Sequence, residues 1–366
     1  MVTLHLLGLP HTVTDAAYSH CAFTGKILRF PAMMRPLGYH VVHYGVEGAR
    51  TAAQEHVTIM SREEQVGFIG PRSLTRPFGD LAKRDTPLYR EFNRRLRREL
   101  LERVRAPDLV LLPFGWGHDD AVKGLPLTLV ESGIGYNDLY PGARHKVFES
   151  FAWMHYHQGR ANRQGTAYEW VVPNYFDVTE WDVVAEPPVD QVVYLGRLMK
   201  DKGLDTVMEV AKRRPDLTFT LCGQGDPKPW LTAPNIVYRA PIAGRERSAY
   251  LGRARCVLMP TTYTEPFGGV AVEAQLCGTP AITSTYGAFT ETVEDGVTGF
   301  RCHTLADYLS AVDRARTLDR AYIAHRARHL YGYDRVGRMY DRVFRQIQDL
   351  FFDGWYTLAP PPNQGA

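Results

Sequence analysis

The chain has 366 residues, of which 45% are hydrophobic and 23% are charged, and its formal net charge is only +3. This length exceeds what a single hydrophobic core usually supports, so the composition indicates a soluble globular protein of two domains. No apolar run is long enough to span a bilayer, and the first hydrophobic segment lacks the charged flank and the cleavage site of a signal peptide. We therefore expect a cytoplasmic location, no integral membrane association, and reduced, packed cysteines.

The first half of the chain alternates strand and helix patterns, which is typical of a parallel sheet covered by helices. The predicted strands are 2–8, 39–44, 108–112, 127–130 and 170–173, and the predicted helices are 22–37, 86–106 and 148–157. Residues 46–85 are expected to be irregular, because Pro71, Pro77 and Gly79 interrupt any long element. Loops that follow parallel strands share one edge, so the loops of this half are expected to form one wall of a ligand cleft.

Polar residues near this edge are the first-half candidates for ligand contact. These residues are His11, Thr12, Ser19, His20, His118, Glu131 and His155. A loop histidine without a partner in view is more often merely solvated, and His155 fits an ordinary helix position equally well.

The second half repeats the alternation after a linker, which is inferred from Pro187 and Pro188 and from the acidic, aperiodic run before them. Its predicted strands are 192–196, 217–222, 236–238, 256–259 and 281–283, and its predicted helices are 204–213, 245–254, 270–277, 305–317, 320–330 and 333–352. The resulting division is a first domain 1–173, a linker 174–190, a second domain 191–332, a final helix 333–356 and a proline-rich, disordered tail 357–366.

The stretch TEPFGGVAVEA at 264–274 is the strongest indication of a ligand site. It lies between a buried strand and a helix, with Glu265 and Glu273 eight positions apart and with Gly268 and Gly269 at the helix start. Glycines allow a ligand to approach the backbone, and the unpaired amides of a first helical turn attract an anion. Two carboxylates beside such a helix end suit a ligand that has both hydroxyls and phosphates, such as a nucleotide sugar.

Two cations are expected in the same cleft. Arg197 ends the first strand of the second half, and Lys202 lies just before the following helix. Both can neutralise a diphosphate through charge-assisted hydrogen bonds, although either one alone is more often a solvated surface cation. The loop that begins at Gly223 lacks the third glycine of a dinucleotide fingerprint, because Lys228 occupies that position. We therefore expect this loop to line the nucleotide pocket rather than a nicotinamide or flavin site.

The second half resembles the retaining GT-B glycosyltransferases of family 4. The matching motifs are YLGRLMKDKGLD at 194–205, LCGQGD at 221–226, TEPFGGVAVEA at 264–274, CGTPAIT at 277–283 and GVTGF at 296–300. The resemblance implies an α/β protein with two facing Rossmann-like domains, a cleft between them, and a final helix that crosses back to the first domain.

The resemblance also implies roles for individual residues. It assigns the donor diphosphate to Arg197 and Lys202, the ribose hydroxyls to Glu273, and the transferred sugar to Glu265. The remaining donor-binding positions are Gly223, Phe267, Gly268, Gly269 and Val270, and the backbone of the last three is expected to bind phosphate. The implied donor is a nucleoside diphosphate sugar of the UDP or GDP type.

Catalysis in such an enzyme depends on stabilising a departing diphosphate while the sugar gains oxocarbenium character. Fixed cations and backbone amides supply this stabilisation without a metal, so we expect neither a metal nor a cofactor. The resemblance favours retention of configuration through front-face attack by the acceptor hydroxyl. The first half departs from the family in its first loop and after its fifth strand, which leaves His118 and Glu131 as catalytic candidates beside Glu265, Arg197 and Lys202.

The acceptor is left open by the sequence. Residues 90–105 contain seven arginines and three glutamates, a local charge of +4. Such an excess fits a phosphate backbone, and hence a transferase acting on hydroxymethylated bases in DNA or a non-catalytic nucleic-acid-binding protein. It is more typical of a solvated helix face, where glutamates pair with arginines three or four positions away. A sugar-nucleotide epimerase or a phosphorylase is the rival enzyme class on this fold.

Overall fold

The computed structural model describes residues 2–18, 21–71, 81, 83–184 and 190–352, with side chains up to residue 350. Several predicted segments lie outside these residues, namely Ser19, His20, the linker residues 185–189, the end of the final helix at 353–356 and the tail 357–366. No helix within the described ranges is long and apolar enough to cross a membrane.

Two parallel sheets organise the described chain. The strands of the first are β1 (Thr3–Leu7), β2 (His40–Val46), β3 (Glu55–Met60), β4 (Leu109–Leu111), β5 (Leu129–Ile134), β6 (His145–Phe148) and β7 (Glu169–Val171). The strands of the second are β8 (Gln191–Leu195), β9 (Thr218–Cys222), β10 (Ile236–Arg239), β11 (Cys256–Met259), β12 (Ala281–Ser284) and β13 (Gly299–Cys302). The spatial orders are β3-β2-β1-β4-β5-β6-β7 and β10-β9-β8-β11-β12-β13. This arrangement confirms the predicted α/β architecture of two Rossmann-like sheets.

Helices cover the sheets, because parallel strands bury both of their faces. The helices are α1 (Ala22–Met34), α2 (Arg62–Ile69), α3 (Pro87–Arg103), α4 (Asp119–Val122), α5 (Phe151–Arg160), α6 (Leu204–Arg213), α7 (Gly244–Gly252), α8 (Gly269–Leu276), α9 (Phe289–Thr292), α10 (Leu305–Arg314), α11 (Arg320–Tyr331) and α12 (Tyr333–Phe352). All five cysteines are free, and Cys222, Cys256, Cys277 and Cys302 are buried.

The final helix α12 returns to the first half of the chain. Val336, Tyr340 and Phe344 are buried in one core with Phe30 and Met33 of α1. The rings of Phe30 and Tyr340 meet edge to face, with their centroids 5.4 Å apart. This packing confirms the predicted crossing of the last helix to the first domain.

The prediction that residues 46–85 are irregular is wrong for residues 55–69, whereas 72–80 and 82 of this segment lie outside the described residues. The strand β3 pairs in parallel with β2 and buries Val57 and Met60. Helix α2 begins with a capping box, in which Ser61 and Glu64 each accept a hydrogen bond from the other's backbone amide. The proline and glycine residues that suggested a break all follow α2 in the chain.

Four other elements also differ from their predictions. The strands β6 and β13 were not predicted; each has four residues and includes a charged side chain, Lys146 in β6 and Arg301 in β13. Helix α5 begins at Phe151 rather than at 148, since Ser150 accepts a hydrogen bond from the Trp153 amide as its N-cap. The strand β5 extends to Ile134, beyond the predicted end at 130.

The first domain contains several buried histidines that the fold keeps neutral. Burial lowers the pKa of His11 to about 4, that of His43 to about 3 and that of His118 to about 3. His43 hydrogen-bonds the His56 ring at 2.9 Å and the Thr14 hydroxyl at 3.0 Å. These interactions use the uncharged imidazole, so protonation of the ring opposes folding.

We expect acid to destabilise the first domain. An unfolded histidine binds a proton near pH 6.5, so stability falls as the pH drops below about 6.5 toward the lowered folded values, by roughly 3 kcal/mol per buried histidine at pH 4. The variant His43→Gln should show a flatter dependence of melting temperature on pH between 7 and 4. His155→Ala is the control, since His155 is exposed. An unchanged slope for His43→Gln would contradict this explanation.

Candidate active site

The residues of the predicted donor site lie on loops that meet at one edge of the second sheet. The strands β9, β8 and β11 are neighbours in this sheet. The loops after their carboxyl ends carry Gly223, then Arg197 and Lys202, and then Glu265. Because parallel strands end at the same edge, the three loops come together in space.

Lys202, Tyr263 and Glu265 form a compact cluster, which we call the Lys202 cluster. The Lys202 Nζ atom lies 3.0 Å from Glu265 Oε2, and the Tyr263 hydroxyl donates to the same oxygen at 2.8 Å. The Lys202 ammonium also contacts the Tyr263 hydroxyl and lies 4.6 Å from the centroid of its ring. The Lys202 and Glu265 side chains are 17% and 12% exposed, so the pair is largely screened from water but reachable.

Tyr263 is a member of this cluster that the sequence did not identify. Burial and the Glu265 carboxylate raise the pKa of Tyr263, so its phenol stays protonated and donates a hydrogen bond. A tyrosine two positions before a glutamate carries no recognisable pattern, and only the folded loop brings its hydroxyl back to Lys202.

Glu273 has a partner that was also not predicted. Arg247 of α7 forms an ion pair with Glu273 of α8, and the two side chains are 17% and 12% exposed. The guanidinium therefore fixes one oxygen of the carboxylate from the protein side. Nothing in the sequence indicates which residue of α7 would face α8.

The amino end of α8 is open for an anion. Gly268 has a left-handed φ of +76°, and no side chain within the described residues caps the helix. A Cβ atom at Gly268 would lie 2.5 Å from the Phe289 ring, so only glycine fits there. No described atom would lie within 4 Å of a Cβ at Gly269, and Val270 is only partly buried. The first amides of α8 can thus reach a phosphate.

The loop after β9 supports the loop after β8 through the backbone. Gly223 has a φ of +154°, and a Cβ atom there would lie 1.8 Å from the Gly196 carbonyl oxygen. The Leu198 amide donates to the Gln224 carbonyl at 2.7 Å. The glycine of this loop is therefore required for the close approach of two backbones.

Arg197 and Phe267 differ in what they offer a ligand. Arg197 is exposed, and its side chain has no hydrogen-bond partner among the described residues, so it is free to turn toward an anion. Phe267 is buried, with its ring 6.5 Å from Phe176 and 5.7 Å from Tyr331 between ring centroids. Its side chain packs the loop against the core and against the start of the predicted linker.

The two catalytic candidates of the first domain both have internal partners. The Glu131 carboxylate is fully buried and accepts from Lys146 Nζ at 2.7 Å, the Tyr136 hydroxyl at 2.8 Å and the Tyr140 amide at 3.0 Å. His118 is fully buried as well, with its Nδ1 atom 3.3 Å from Asn93 Oδ1. The structure does not bring either side chain into the open cleft, and their catalytic roles stay untested predictions.

The other candidates of the first half differ in burial. His11 is buried with its Nδ1 atom 2.7 Å from the Tyr89 hydroxyl, and Thr12 bonds the Thr24 hydroxyl at 2.7 Å. His155 is exposed on α5, with its Nδ1 atom 3.1 Å from the side-chain oxygen of Gln158.

The two halves of the chain meet beside the donor loops. The Ser150 hydroxyl at the start of α5 donates to the Pro266 carbonyl at 2.7 Å. The amides of Phe151 and Ala152 donate to the Glu291 carboxylate at 3.0 Å and 2.7 Å. These bonds confirm that the two domains face each other, with the Glu265 loop at their contact.

The arginine-rich helix α3 is held by pairs within the first domain. Arg95 bonds Glu91 at 2.6 Å and Glu64 at 2.7 Å. Arg103 bonds Glu55 at 2.5 Å and Glu99 at 2.9 Å. This pairing favours the solvated helix face over a nucleic-acid footprint.

Metal binding has no evident site in the part of the chain that the structure describes. There, no group of three or more histidine, cysteine, aspartate or glutamate side chains is arranged to hold a metal ion.

Comparison with known proteins agrees with the geometry of the second domain. Residues 189–317 match the family model of the Glycosyl transferases group 1. A glycogen synthase of Mycobacterium tuberculosis is 35% identical over 147 residues, which are 36% of this chain and 35% of that protein. The chain thus spans about a third of the length of this curated relative.

Solved structures resemble nearly the whole chain. The sucrose-phosphate synthase of Thermosynechococcus elongatus superimposes with a TM-score of 0.67 at 16% identity, covering 95% of this chain and 99% of that one. Anabaena HepE, solved in complex with UDP and glucose, has a TM-score of 0.65 at 14% identity and covers 94% of this chain and 100% of its own. The described chain therefore has the GT-B fold, and its residues 189–317 resemble the Glycosyl transferases group 1, as the sequence motifs predicted.

Proposed function

We propose that the protein is a retaining glycosyltransferase of the family 4 type, which moves a sugar from a nucleoside diphosphate sugar to an acceptor hydroxyl. The observation that carries this proposal is the Lys202 cluster beside the open amino end of α8, with Glu273 on the same helix. This site lies wholly within the residues that match the Glycosyl transferases group 1. Its polar groups correspond to the separate parts of such a donor.

Each part of the donor has a complementary group in this site. The diphosphate binds the Lys202 ammonium, the Arg197 guanidinium and the amides at the start of α8, because fixed positive groups attract an anion. The ribose hydroxyls bind the Glu273 oxygens, and the hydroxyls of the sugar bind Glu265. The complex of HepE with UDP and glucose supports a donor of the UDP type.

Donor binding exchanges the partners of the Lys202 cluster. Without a ligand, Lys202 and Glu265 neutralise each other across 3.0 Å. The diphosphate replaces Glu265 as the partner of Lys202, and Glu265 then accepts hydrogen bonds from the sugar hydroxyls. The exchange keeps both charges satisfied, which lowers the cost of desolvating them.

The transfer step breaks the bond between the anomeric carbon and the phosphate oxygen. The acceptor oxygen forms its bond to the same face of that carbon, and its proton passes to the leaving phosphate oxygen. Lys202, Arg197 and the α8 amides stabilise the negative charge that develops on the diphosphate. We place this reaction in the cytoplasm.

A panel of donors tests the proposal. The protein is incubated with UDP-sugars and GDP-sugars together with small-sugar, lipid, hydroxymethylated-DNA and inorganic phosphate acceptors. The release of nucleoside diphosphate and the anomeric configuration of the product are measured. We expect stoichiometric release with one donor and retention in the product. Conversion of the donor sugar without release would indicate an epimerase, and transfer to inorganic phosphate would indicate a phosphorylase. Failure to bind any donor would overturn the proposal.

Removing the Tyr263 hydroxyl should loosen the Lys202 cluster. We expect Tyr263→Phe to raise the donor KM roughly 3- to 10-fold, because one hydrogen bond to a charged group is lost. The kinetic constants of this variant are compared with those of Tyr322→Phe, whose ring is 47% exposed on α11. Equal donor KM values for the two variants would show that the Tyr263 hydroxyl does not position the site.

Activity should survive removal of divalent metals. Lys202, Arg197 and the α8 amides provide the positive charge that a metal supplies elsewhere, so we expect EDTA to leave the transfer rate within about twofold of the untreated rate. The rate is measured after dialysis against EDTA and again after adding Mg²⁺ or Mn²⁺. A complete loss that either metal restores would contradict a metal-independent mechanism.

A further inference from the structure

A second charged pair lies at the carboxyl edge of the first sheet, on the side that faces the donor loops. Glu149 directly follows β6, and Lys26 lies on α1, the helix that follows β1. The Lys26 ammonium forms an ion pair with Glu149 and donates to the Gly133 carbonyl of β5 at 2.7 Å. The two side chains are 10% and 6% exposed. The pair therefore lies at the edge where parallel sheets commonly bind ligands.

The contact between the domains lies one residue from Glu149 in the chain. The Ser150 hydroxyl donates to the Pro266 carbonyl at 2.7 Å. Glu149 and Glu265 each precede one partner of this hydrogen bond in the chain. The backbone at Glu149 and the backbone at Glu265 are therefore both next to this contact between the domains.

The surroundings of Glu149 leave part of its carboxylate available. Oε1 accepts from Lys26, whereas Oε2 has no hydrogen-bond donor among the residues that the structure describes. A Cβ atom at Gly135 would lie 2.6 Å from Oε2, so the carboxylate packs closely against the glycine backbone at this position. By contrast, both oxygens of Glu131 accept hydrogen bonds from neighbouring groups.

We propose that Glu149, held in place by Lys26, accepts a hydrogen bond from a hydroxyl of the transferred sugar and so completes its binding site from the first domain. This inference rests on the proposed function. A largely buried carboxylate with one free oxygen is a strong acceptor for a hydroxyl, and a site built this way discriminates against a sugar that lacks that hydroxyl. Lys26 is a positioning residue, because it acts through Glu149.

The test separates binding of the nucleotide from binding of the sugar. Titration calorimetry measures the Kd of UDP and of UDP-glucose, or of GDP and GDP-mannose if the wild type binds those instead. For Glu149→Gln we expect an unchanged Kd for the nucleoside diphosphate and a roughly 10- to 100-fold weaker Kd for the nucleotide sugar, because a hydrogen bond to a charged group is lost. Lys26→Arg, which keeps the positive charge, should restore most of the affinity that Lys26→Met loses.

The matched control is Glu169→Gln. Glu169 is also a mostly buried, paired carboxylate of the first sheet, bound by Arg163, but it begins β7 and so lies at the opposite edge. We expect this control to bind the nucleotide sugar as the wild type does. Equal affinities for the sugar donor in the two glutamine variants would overturn the inference, as would a parallel loss of nucleoside diphosphate binding in Glu149→Gln. A wild type that binds no nucleotide would instead overturn the proposed function, and this inference with it.

Discussion

Replacing Lys202 with alanine is expected to lower kcat/KM for the donor about 10²- to 10³-fold, the usual cost of removing one preorganised electrostatic group. The Lys202 side chain is less exposed than that of Arg197, the other cation at this edge, and its Nζ atom lies 3.0 Å from Glu265 Oε2. Its loss removes a positive charge that stabilises the departing diphosphate. It also leaves the Glu265 carboxylate without its ion-pair partner. Both consequences act on the same step, so kcat falls together with donor affinity.

The control for this variant is Lys200→Ala. Lys200 lies two residues away, but its side chain is 83% exposed and it is paired only loosely with Asp205, at 3.7 Å. Steady-state kinetics with the donor found in the panel compare the two variants. A Lys202→Ala enzyme with the rate of Lys200→Ala would show that the diphosphate binds elsewhere.

Replacing Gly223 with alanine is expected to have the second large effect, through the backbone rather than through charge. A Cβ atom would lie 1.8 Å from the Gly196 carbonyl oxygen, and the φ of +154° is one that side chains rarely adopt. Relieving this overlap moves the loops after β8 and β9 apart, and with them Arg197. We expect a loss of roughly 1 to 3 kcal/mol in the free energy of unfolding and at least a tenfold weaker donor Kd.

Gly67→Ala provides the comparison for this variant. Gly67 lies inside α2, and no described atom would come within 4 Å of a Cβ there, so alanine is expected to be neutral or slightly stabilising. Urea unfolding and donor titration are measured for both variants. Retention of donor affinity and stability by Gly223→Ala would show that the two loops do not need their close backbone approach.

Helix α12 could be predicted from its apolar pattern, whereas the strands β3, β6 and β13 could not. Helix α12 repeats Val336, Tyr340 and Phe344 at helical spacing, and this apolar face packs on α1 as expected. The strands β6 and β13 have only four residues each, and their existence depends on pairing with β5 and β12. Pairing between distant segments leaves little trace in the pattern of one segment.

The site shows the same division between local and distant information. Glu265, Glu273 and the glycines at the start of α8 lie within eleven consecutive residues, so a single motif identified them. Arg247 meets Glu273 only because α7 packs beside α8, and Glu149 meets Lys26 across 123 residues of sequence. Conversely, Glu131 and His118 looked available in the sequence, because the donors and side chains that enclose them come from distant positions.

The position of a bound nucleotide is the most direct test of the account. A crystal structure of the full chain with UDP or GDP should place the diphosphate within hydrogen-bond distance of Lys202 Nζ and the amides of Gly269 and Val270. The ribose hydroxyls should reach Glu273 while Arg247 keeps its ion pair with that carboxylate. A nucleotide bound away from the amino end of α8, with Lys202 still paired to Glu265, would contradict the account.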